Sequence, residues 1–502
     1  MTASESFIRQ SKKATILLGK FFLKRQETLH YNKQLRTLFF YLKGRFTLTT
    51  LMNWKKLLSY HRLGQKGTPK EMDPARTAFQ RDFDRIIFSS SFRRMQDKTQ
   101  VFPLAETDYV RTRLTHSLEV SSIARSMGTS AGVFICKHFD TAGIDPGNIG
   151  TIVAAAALGH DIGNPPLGHG GEESIRDWFL TSPIGKALHD QMSPAEISDI
   201  ERYEGNAHGF RVMSVLEMPN HIGGMQLTCA TLASFAKYPC ASLVTEKAPG
   251  VAGKKYNFFQ TDKELFHEVA EETGLLKIAE DSYCRHPLAF LVEAADDISY
   301  RIVDFEDAQM VHLIAYEELE RYFLEILGNS PKTKEDVDKI QSKTQKTEFL
   351  RAQVIGELVQ QVVKVFTEKQ TLILEGKMEK ALIDCIPARH ILQKITTRSI
   401  NDIYQSPKIA TIIAAGFELL SGMLDALVPA VNEIALEKTT RKPASYRAKR
   451  MIKVLPASYA PVDDPKWQNS TYLRLLYILD YMAGMTDSFA VSLFKKLKGI
   501  SL

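Results

Sequence analysis

The sequence predicts an all-α protein. Three observations lead to this prediction. Apolar residues recur at helical spacings of three to five, strand-like alternation of apolar and polar residues is scarce, and the composition is that of an ordinary globular protein, with 44% hydrophobic and 24% charged residues. The 502 residues contain no internal repeat and no low-complexity tract. A chain of this length can form one large core or two to three domains.

The first 51 residues differ from the rest in charge. They hold ten Lys or Arg and two Glu, a net charge of +8, so that the rest of a chain with net charge +6 is mildly acidic. No apolar run here reaches the roughly 18 residues of a membrane span, and no secretory signal is found. Because Met52 opens a stretch typical of a protein start, MNWKKLLSYHRLGQ, we interpret residues 1–51 as a basic extension from an over-extended gene model. The alternative is a functional extension, such as an organellar presequence.

Helical periodicity then follows the chain from about residue 70. Apolar residues recur at helical spacing over 114–127, and the alanine-rich run 152–158 predicts a helix that ends near Gly163. Two further segments show the same periodicity, 287–307 and 472–481, and a third, 333–351, is charged enough for an exposed helix or a linker.

The cysteines indicate a reducing environment. The chain has five of them, an odd number, and they are far apart and form no CxxC pair. This pattern argues against a disulfide framework and against a thiolate zinc site. We therefore expect a cytoplasmic protein that does not enter a membrane.

The densest chemistry lies in LGHDIGNPPLGHGGEE, residues 158–173. A metal that activates water needs nitrogen or oxygen ligands from several elements, and histidine and aspartate supply them. Candidates are His116, the adjacent pair His160 and Asp161, and an aspartate in LVEAADDISYRIVDFEDA. Adjacent helical residues point about 100° apart. We expect Gly163 to loosen the helix end so that His160 and Asp161 can converge.

Helix geometry selects the aspartate. Steps of four residues place Asp296, Tyr300 and Asp304 in one polar stripe along a single helix face. Asp297 lies four residues before Arg301, a spacing typical of an exposed ion-paired face. Asp296 is therefore the better ligand candidate. Five apolar residues are predicted to cover the buried side of the helix: Leu291, Ala295, Ile298, Ile302 and Phe305.

The set His116, His160 with Asp161, and Asp296 resembles the HD superfamily of metal-dependent phosphohydrolases. Longer phrases resemble one of its families, the deoxyguanosine triphosphate triphosphohydrolases. They occur in the order of that family from about residue 70 to 490: RDFDRIIFSSSFRRMQDKTQVFPL, VRTRLTHSLEV, GHDIGNPPLGHGGEE, YEGNAHGFRV, EAADDISYRIVDFEDA and DYMAGMTD.

The resemblance implies an HD-domain helical core at 52–310 with additional C-terminal helices at 311–502, packed on the core and in oligomer contacts. It implies cleavage of a deoxynucleoside triphosphate between the 5′ oxygen and the α phosphorus, which yields a deoxynucleoside and tripolyphosphate. The four metal ligands would be those of the set above. Magnesium or manganese is the expected metal, and iron, zinc or cobalt would also suit two histidines with two carboxylates.

The resemblance also assigns a catalytic pair, His169 and Glu172. A histidine near neutral pKa suits protonation of the departing 5′ oxygen, and Glu172 would orient the ring and raise its pKa. The alternative is that a glycine-rich turn followed by Glu172 is simply the start of a helix. Both can hold at once.

Four substrate contacts follow from the same resemblance. Arg113 matches an arginine that reaches the α phosphate, although a solvated surface arginine is the alternative. Gln100 matches a glutamine that contacts the deoxynucleoside. Tyr300 and Asp304 match residues that pack against and hydrogen-bond the sugar, and a ring against C2′ would exclude a 2′ hydroxyl.

The resemblance further predicts a dNTP substrate, with dGTP preferred, a homo-oligomer, with a hexamer expected, and a regulatory dNTP or single-stranded nucleic acid as a further partner. The basic run over 438–453 could contact such a ligand or simply be solvated. Two alternatives stay open: another HD-type nucleotide phosphohydrolase, and a non-catalytic dNTP sensor or nucleic-acid-binding protein.

Overall fold

The computed structural model describes residues 51–67, 73, 75–101 and 111–500. It confirms the all-α prediction, because the described residues form 22 α-helices and only two short strands. The predicted basic extension, apart from Leu51, lies outside the described residues, so its interpretation stays a prediction.

The elements are numbered in chain order. The helices before the hairpin are α1 (Trp54–Leu57), α2 (Ala78–Ile87), α3 (Ser90–Arg94), α4 (Arg113–His138), α5 (Pro146–Leu158), α6 (His169–Thr181), α7 (Pro183–His189), α8 (Pro194–Glu201), α9 (Gly205–Arg211), α10 (Cys229–Phe235) and α11 (Lys263–Thr273). The antiparallel hairpin is β1 (Lys277–Ala279) and β2 (Ser282–Tyr283). The helices after it are α12 (Pro287–Met310), α13 (Tyr316–Ile326), α14 (Pro331–Asp338), α15 (Lys343–Glu368), α16 (Gln370–Leu374), α17 (Arg389–Ser399), α18 (Pro407–Thr440), α19 (Tyr446–Met451), α20 (Pro465–Asn469), α21 (Thr471–Ala483) and α22 (Asp487–Leu497).

The centre of the fold is formed by α4, α5 and α12, which contact one another pairwise. Helix α5 is buried from Ile149 to Leu158 apart from Thr151, and its run of alanines lets the neighbouring helices approach closely. The five apolar residues predicted to cover the inner side of α12 are all buried. Helices α4 and α12 carry two of the four predicted metal ligands, His116 and Asp296, and the other two follow the end of α5.

The predicted end of the alanine-rich helix near Gly163 is wrong. Helix α5 ends at Leu158, Gly159 follows as its C-terminal cap, and His160 and Asp161 lie in the turn beyond. The 100° separation of adjacent helical residues therefore does not apply to His160 and Asp161. They can converge without any loosening of the helix end by Gly163.

The other segments with helical periodicity form α12 and α21, as predicted. The charged segment 333–351 is not a linker. It comprises most of α14 and the start of α15, and its apolar residues Val337 and Leu350 are fully buried. All five cysteines lie in the described part of the chain and are free.

Two hydrophobic clusters stabilise the described residues. The first extends from Met52 to Ile409 and includes residues on both sides of Met310. The second joins α6, α18 and α21. The helices after Met310 thus pack on those before it, while the predicted boundary between 310 and 311 stays a prediction.

Helix α18 is long and apolar enough to cross a membrane, because an 18-residue window within Ile409–Thr440 has a mean hydropathy of 1.6. Its buried residues Leu420, Met423 and Leu427 lie in the second cluster. This packing accounts for its apolar sequence, because a core helix of a soluble protein has the same composition. The basic run 438–453 that follows is mostly exposed, and its predicted ligand stays a prediction.

Candidate active site

Three side chains from separate segments bring metal-ligand atoms together. His116 lies on α4, His160 in the turn after α5, and Asp296 on α12. Asp296 Oδ1 lies 3.3 Å from His116 Nε2 and 3.4 Å from His160 Nε2, and the three ligand atoms lie within 4.8 Å of one another. Both histidines are buried, whereas 27% of the Asp296 side chain is exposed. The cluster can therefore offer two imidazole nitrogens and a carboxylate oxygen to one ion.

Local contacts determine which nitrogen each histidine presents. His160 Nδ1–H donates to the carbonyl oxygen of Ala157 at 2.7 Å. His116 Nδ1 lies 3.5 Å from the hydroxyl oxygen of Ser299. Because Nδ1 is engaged in both rings, both turn Nε2 toward Asp296.

Asp161, the fourth predicted ligand, lies beside this cluster, with Oδ2 3.5 Å from His160 Nε2. The same oxygen accepts a hydrogen bond from Arg113 Nη1 at 2.5 Å, and Oδ1 accepts one from Asn164 Nδ2 at 2.6 Å. The alternative of a solvated Arg113 is wrong, because the residue is only 6% exposed. Gly168 permits this burial, since a Cβ at that position would lie 2.2 Å from Arg113 Nη2.

Lys237 is a site residue that the sequence analysis missed. Its Nζ lies 2.6 Å from Asp296 Oδ2, and 9% of its side chain is exposed. A buried lysine is normally paired with an acid. The available signal was a single lysine in the otherwise apolar stretch TLASFAKYPC, just after α10.

The helical stripe predicted that Asp296 rather than Asp297 faces the histidines, and the structure places it there. Its role as a metal ligand stays a prediction. Asp297 pairs with Arg301 at 3.4 Å as expected, but its predicted exposure is wrong. Only 21% of its side chain is exposed, and burial raises its pKa to about 7. Glu293, one turn before Asp297 on the same face of α12, pairs at 2.6 Å with Arg285 from the segment before the helix.

The charges around the cluster fit a divalent cation. Although burial opposes ionisation, Arg113 holds the pKa of Asp161 below its usual value, and Lys237 does the same for Asp296. Both carboxylates are therefore anionic at neutral pH. Burial lowers the pKa of His160 but the two carboxylates raise it further, so protons compete with a metal for this ring. Two imidazoles and two carboxylates suit magnesium or manganese, and also iron, zinc or cobalt.

His169 and Glu172 form the second predicted group. His169 begins α6, and its Nδ1 lies 2.8 Å from Glu172 Oε2. Glu172 is 2% exposed, and its other oxygen accepts a hydrogen bond from the Gly205 N–H at 2.6 Å. The His169 side chain is 74% exposed, so Nε2 faces outward. Both interpretations of this segment are correct: it is the start of a helix, and its first turn contains the oriented pair of His169 and Glu172.

The hydrogen bond that His169 Nδ1–H donates to Glu172, together with the negative charge of Glu172, raises the pKa of His169. The imidazolium form therefore persists to higher pH than in a free histidine. A ring whose Nδ1–H is held by a buried carboxylate carries its exchangeable proton on Nε2. This arrangement suits a proton donor to an approaching oxygen.

The predicted substrate contacts leave polar atoms unpaired within the described part of the chain. Gln100 Oε1, Arg113 Nε and Asp304 Oδ1 are buried and have no hydrogen-bond partner there. Burial of an unpaired polar atom costs about 1–3 kcal/mol. A bound ligand that pairs with these atoms would remove that cost.

Tyr404 is a second residue that the sequence analysis missed. It lies in a π-helical turn, Ile400–Tyr404, between α17 and α18. Its hydroxyl donates to Asp304 Oδ2 at 2.9 Å, and its ring stacks on Tyr300 with centroids 6.4 Å apart. Burial raises the pKa of Asp304 well above its usual value. No local pattern in the sequence signals this residue, which lies 100 positions beyond Asp304.

The turn that carries His160 and Asp161 has no room for a side chain at Gly163. A Cβ there would lie 2.0 Å from the backbone nitrogen of Gly209 and 2.3 Å from the carbonyl oxygen of Gly205. We expect Gly163→Ala to lower the free energy of unfolding by about 3 kcal/mol, at the upper end of overpacking. Gly356→Ala is the control, since its Cβ on α15 meets nothing within 4 Å, and we expect it to stabilise by about 1 kcal/mol. Urea denaturation measures both, and equal effects would contradict the close approach.

Comparisons with known proteins agree on one family. Three curated relatives bear the name deoxyguanosinetriphosphate triphosphohydrolase-like protein. The one from Synechocystis sp. is 40% identical over 468 residues, which cover 90% of this chain and 100% of the relative. The one from Pseudomonas aeruginosa is 36% identical over 453 residues, which cover 90% of this chain and 99% of the relative. The one from Listeria monocytogenes is 36% identical over 474 residues, which cover 90% of this chain and 100% of the relative. A scan against protein-family models finds no match.

Proposed function

This chain belongs to the deoxyguanosinetriphosphate triphosphohydrolase family, and from that membership we propose that it hydrolyses deoxynucleoside triphosphates, with dGTP preferred. The proposed products are the deoxynucleoside and inorganic tripolyphosphate. The observation that supports this proposal most directly is the convergence of His116, His160 and Asp296 within 4.8 Å, next to Asp161 and Arg113. A phosphohydrolase needs such a cluster of metal ligands and cations.

We propose that His116, His160, Asp161 and Asp296 hold one divalent metal, with magnesium or manganese expected. When bound, this ion supplies Lewis acidity toward a phosphoryl oxygen and an activated water. The protein contributes the fixed geometry, since each histidine is oriented by its Nδ1 contact. Each carboxylate is also held by a cation through Arg113 or Lys237.

Arg113 and Lys237 also place positive charge where the transferring phosphoryl group would lie. Both are buried beside the carboxylates of the cluster, so their charge is poorly screened by water. The Arg113 guanidinium has a further buried nitrogen, Nε, without a partner in the described residues. Cations so placed stabilise the charge that builds on phosphate oxygens in the transition state.

His169 is the proposed proton donor. Cleavage of the bond between the α phosphorus and the 5′ oxygen leaves an alkoxide, which takes the proton from His169 Nε2 as the bond breaks. Glu172 keeps Nδ1–H engaged and raises the pKa of the ring, so that the donor is charged near neutral pH. The turn before His169 lies against Arg113 at Gly168, which connects the donor to the metal-ligand cluster.

Tyr300 and Asp304 are the proposed contacts of the sugar, with Tyr404 as a third. A tyrosine ring against C2′ leaves no room for a 2′ hydroxyl, and steric rejection of one hydroxyl discriminates by about a hundredfold. We expect dGTP to be hydrolysed about a hundred times faster than GTP, and Tyr300→Ala to remove most of this difference. Tyr300→Phe is the control, because it keeps the ring. Equal hydrolysis of GTP and dGTP by the wild type would contradict this role.

The test of the function is a product analysis. The full chain is incubated with each of the four dNTPs and with GTP, with Mg²⁺ or Mn²⁺, and the products are separated by anion exchange beside an Asp161→Ala control. We expect a deoxynucleoside and tripolyphosphate, both lost in the control. A monophosphate with pyrophosphate would show that another bond is cleaved. Absence of turnover with all four dNTPs together would favour a nucleotide sensor.

We also propose that the protein is cytoplasmic and works as a homo-oligomer. Three large apolar side chains are strongly exposed at one surface cavity: Phe88 at 78% and Met218 at 62% line it, and Ile222 at 69% follows its lining residue His221. Exposed apolar clusters are typical of protein interfaces. Light scattering coupled to size exclusion measures the assembly, for which a hexamer is expected, and a monomer at micromolar concentration would contradict it.

A further inference from the structure

The carboxylate of Asp487, near the end of the chain, contacts two segments that are distant in sequence. Its Oδ1 accepts a hydrogen bond from the Leu167 N–H at 2.9 Å. Its Oδ2 accepts two from Thr99, one from the backbone N–H at 2.9 Å and one from the hydroxyl at 2.6 Å. Asp487 is 2% exposed, so water does not compete for these bonds.

The two segments carry site residues. Thr99 immediately precedes Gln100, and Leu167 lies two residues before His169. We propose that Asp487 is a positioning residue for the hydrolysis, whose one carboxylate holds both the segment of Gln100 and the turn that leads into His169. This inference rests on the proposed function, because it assigns Asp487 to the same site.

The turn before His169 needs an external support. Leu167 and Gly168 both have positive φ angles, of +63° and +59°. A residue with a side chain rarely adopts this conformation, and it persists only where surrounding contacts hold it. The bond from Leu167 N–H to Asp487 is such a contact.

Asp487 is the first residue of α22, where an acidic residue often serves its own helix. That explanation does not apply to its hydrogen bonds. The cap of α22 is Thr486, whose hydroxyl accepts from the Phe489 N–H at 3.2 Å. The Asp487 oxygens instead accept from residues 320 and 388 positions away.

Lys98 makes a parallel connection between the same parts of the fold. Its Nζ donates to the carbonyl oxygens of Asn164 and Ala483, both at 2.6 Å. Asn164 in turn donates to Asp161. Lys98 therefore links the end of α21 to the turn of the predicted metal ligands, and Asp487 links the start of α22 to the turn of the proton donor.

Asp487→Asn tests the inference, because the amide keeps the size of the side chain but replaces one acceptor by a donor. The exposed neighbour provides the control, Ser488→Ala, which removes only a 3.0 Å bond to Asp97. Thr99→Val removes the hydroxyl bond on the Gln100 side alone and serves as a second, milder variant.

For Asp487→Asn we expect kcat with dGTP to fall on the order of tenfold to a hundredfold, since small displacements of catalytic groups have effects of this size. The alkaline limb of its pH profile should move to lower pH, because His169 is less well held against Glu172. For Thr99→Val we expect a higher KM for dGTP and little change in kcat. Ser488→Ala should match the wild type in kcat, in KM and in its pH profile.

Hydrogen exchange measured by mass spectrometry provides a readout that does not need turnover. Peptides that contain Thr99 and Leu167 should exchange faster in Asp487→Asn than in the wild type, and at the wild-type rate in Ser488→Ala. Unchanged exchange would overturn the inference. The inference would also be overturned if kcat of Asp487→Asn fell only in proportion to the fraction of folded protein, while its KM and pH profile matched those of the wild type. Absence of turnover by the wild type would contradict the proposed function, and the exchange data would still decide whether Asp487 holds the two segments.

Discussion

Asp296→Ala is expected to lower kcat/KM for dGTP about a thousandfold or more, because loss of a ligand removes a metal that contributes several kcal/mol to the transition state. Among the described residues, only Asp296 places a carboxylate oxygen within 3.5 Å of both histidines, at 3.3 Å from His116 and 3.4 Å from His160. Bound metal should fall in parallel when measured by plasma mass spectrometry after dialysis.

The adjacent residue offers a matched control. Asp297→Ala changes the same kind of side chain on the same helix, but it removes only a pair with Arg301 at 3.4 Å. We expect kcat/KM within about threefold of the wild type, a change of less than about 1 kcal/mol, because Asp297 hydrogen-bonds only Arg301 within the described residues. Equal losses in the two variants would contradict the assignment of Asp296.

Stability must be measured in the same experiment. Asp296→Ala leaves the buried ammonium of Lys237 without its partner, and an unpaired buried charge destabilises by about 3–5 kcal/mol. The double variant Asp296→Ala with Lys237→Ala removes both charges and should recover part of this loss without recovering activity. A double variant that regains hydrolysis would show that Asp296 matters for folding alone.

His169→Ala is expected to reduce kcat by about 10²–10⁴, the usual contribution of a general acid. The pH dependence follows from the raised pKa of His169. A proton donor is active below its pKa in the folded protein, so kcat should hold to higher pH than a free histidine allows and then fall as the pH rises through that value.

Glu172→Gln tests the cause of this raised pKa. The amide keeps a hydrogen-bond acceptor but removes the negative charge, so the alkaline limb of the kcat profile should shift to lower pH. Glu173→Gln is the control, because Glu173 is exposed and adjacent in sequence. A profile in Glu172→Gln that coincides with that of the control would exclude His169 as the group that titrates.

Much of the fold was predictable because helical periodicity is a local property. The stripe on α12 shows this well. Residues four positions apart share one face of any α-helix, so Asp296, Tyr300 and Asp304 could be grouped before their surroundings were known. Boundaries were less predictable. Helix α5 ends at Leu158 rather than near Gly163, and Gly163 in the following turn packs against the backbone of α9, a tertiary contact that local periodicity does not report.

The sequence by itself determined the all-α class, the membership of the candidate ligand set, and the presence of a histidine with its carboxylate at the start of α6. Only the tertiary structure identified Lys237, Tyr404 and Asp487. These residues contact Asp296, Asp304 and Leu167 across separations of 59, 100 and 320 positions. Spacing along a helix reports which residues share a face, but it carries no information on which distant side chain packs against that face. That pairing is decided by the packing of the whole core.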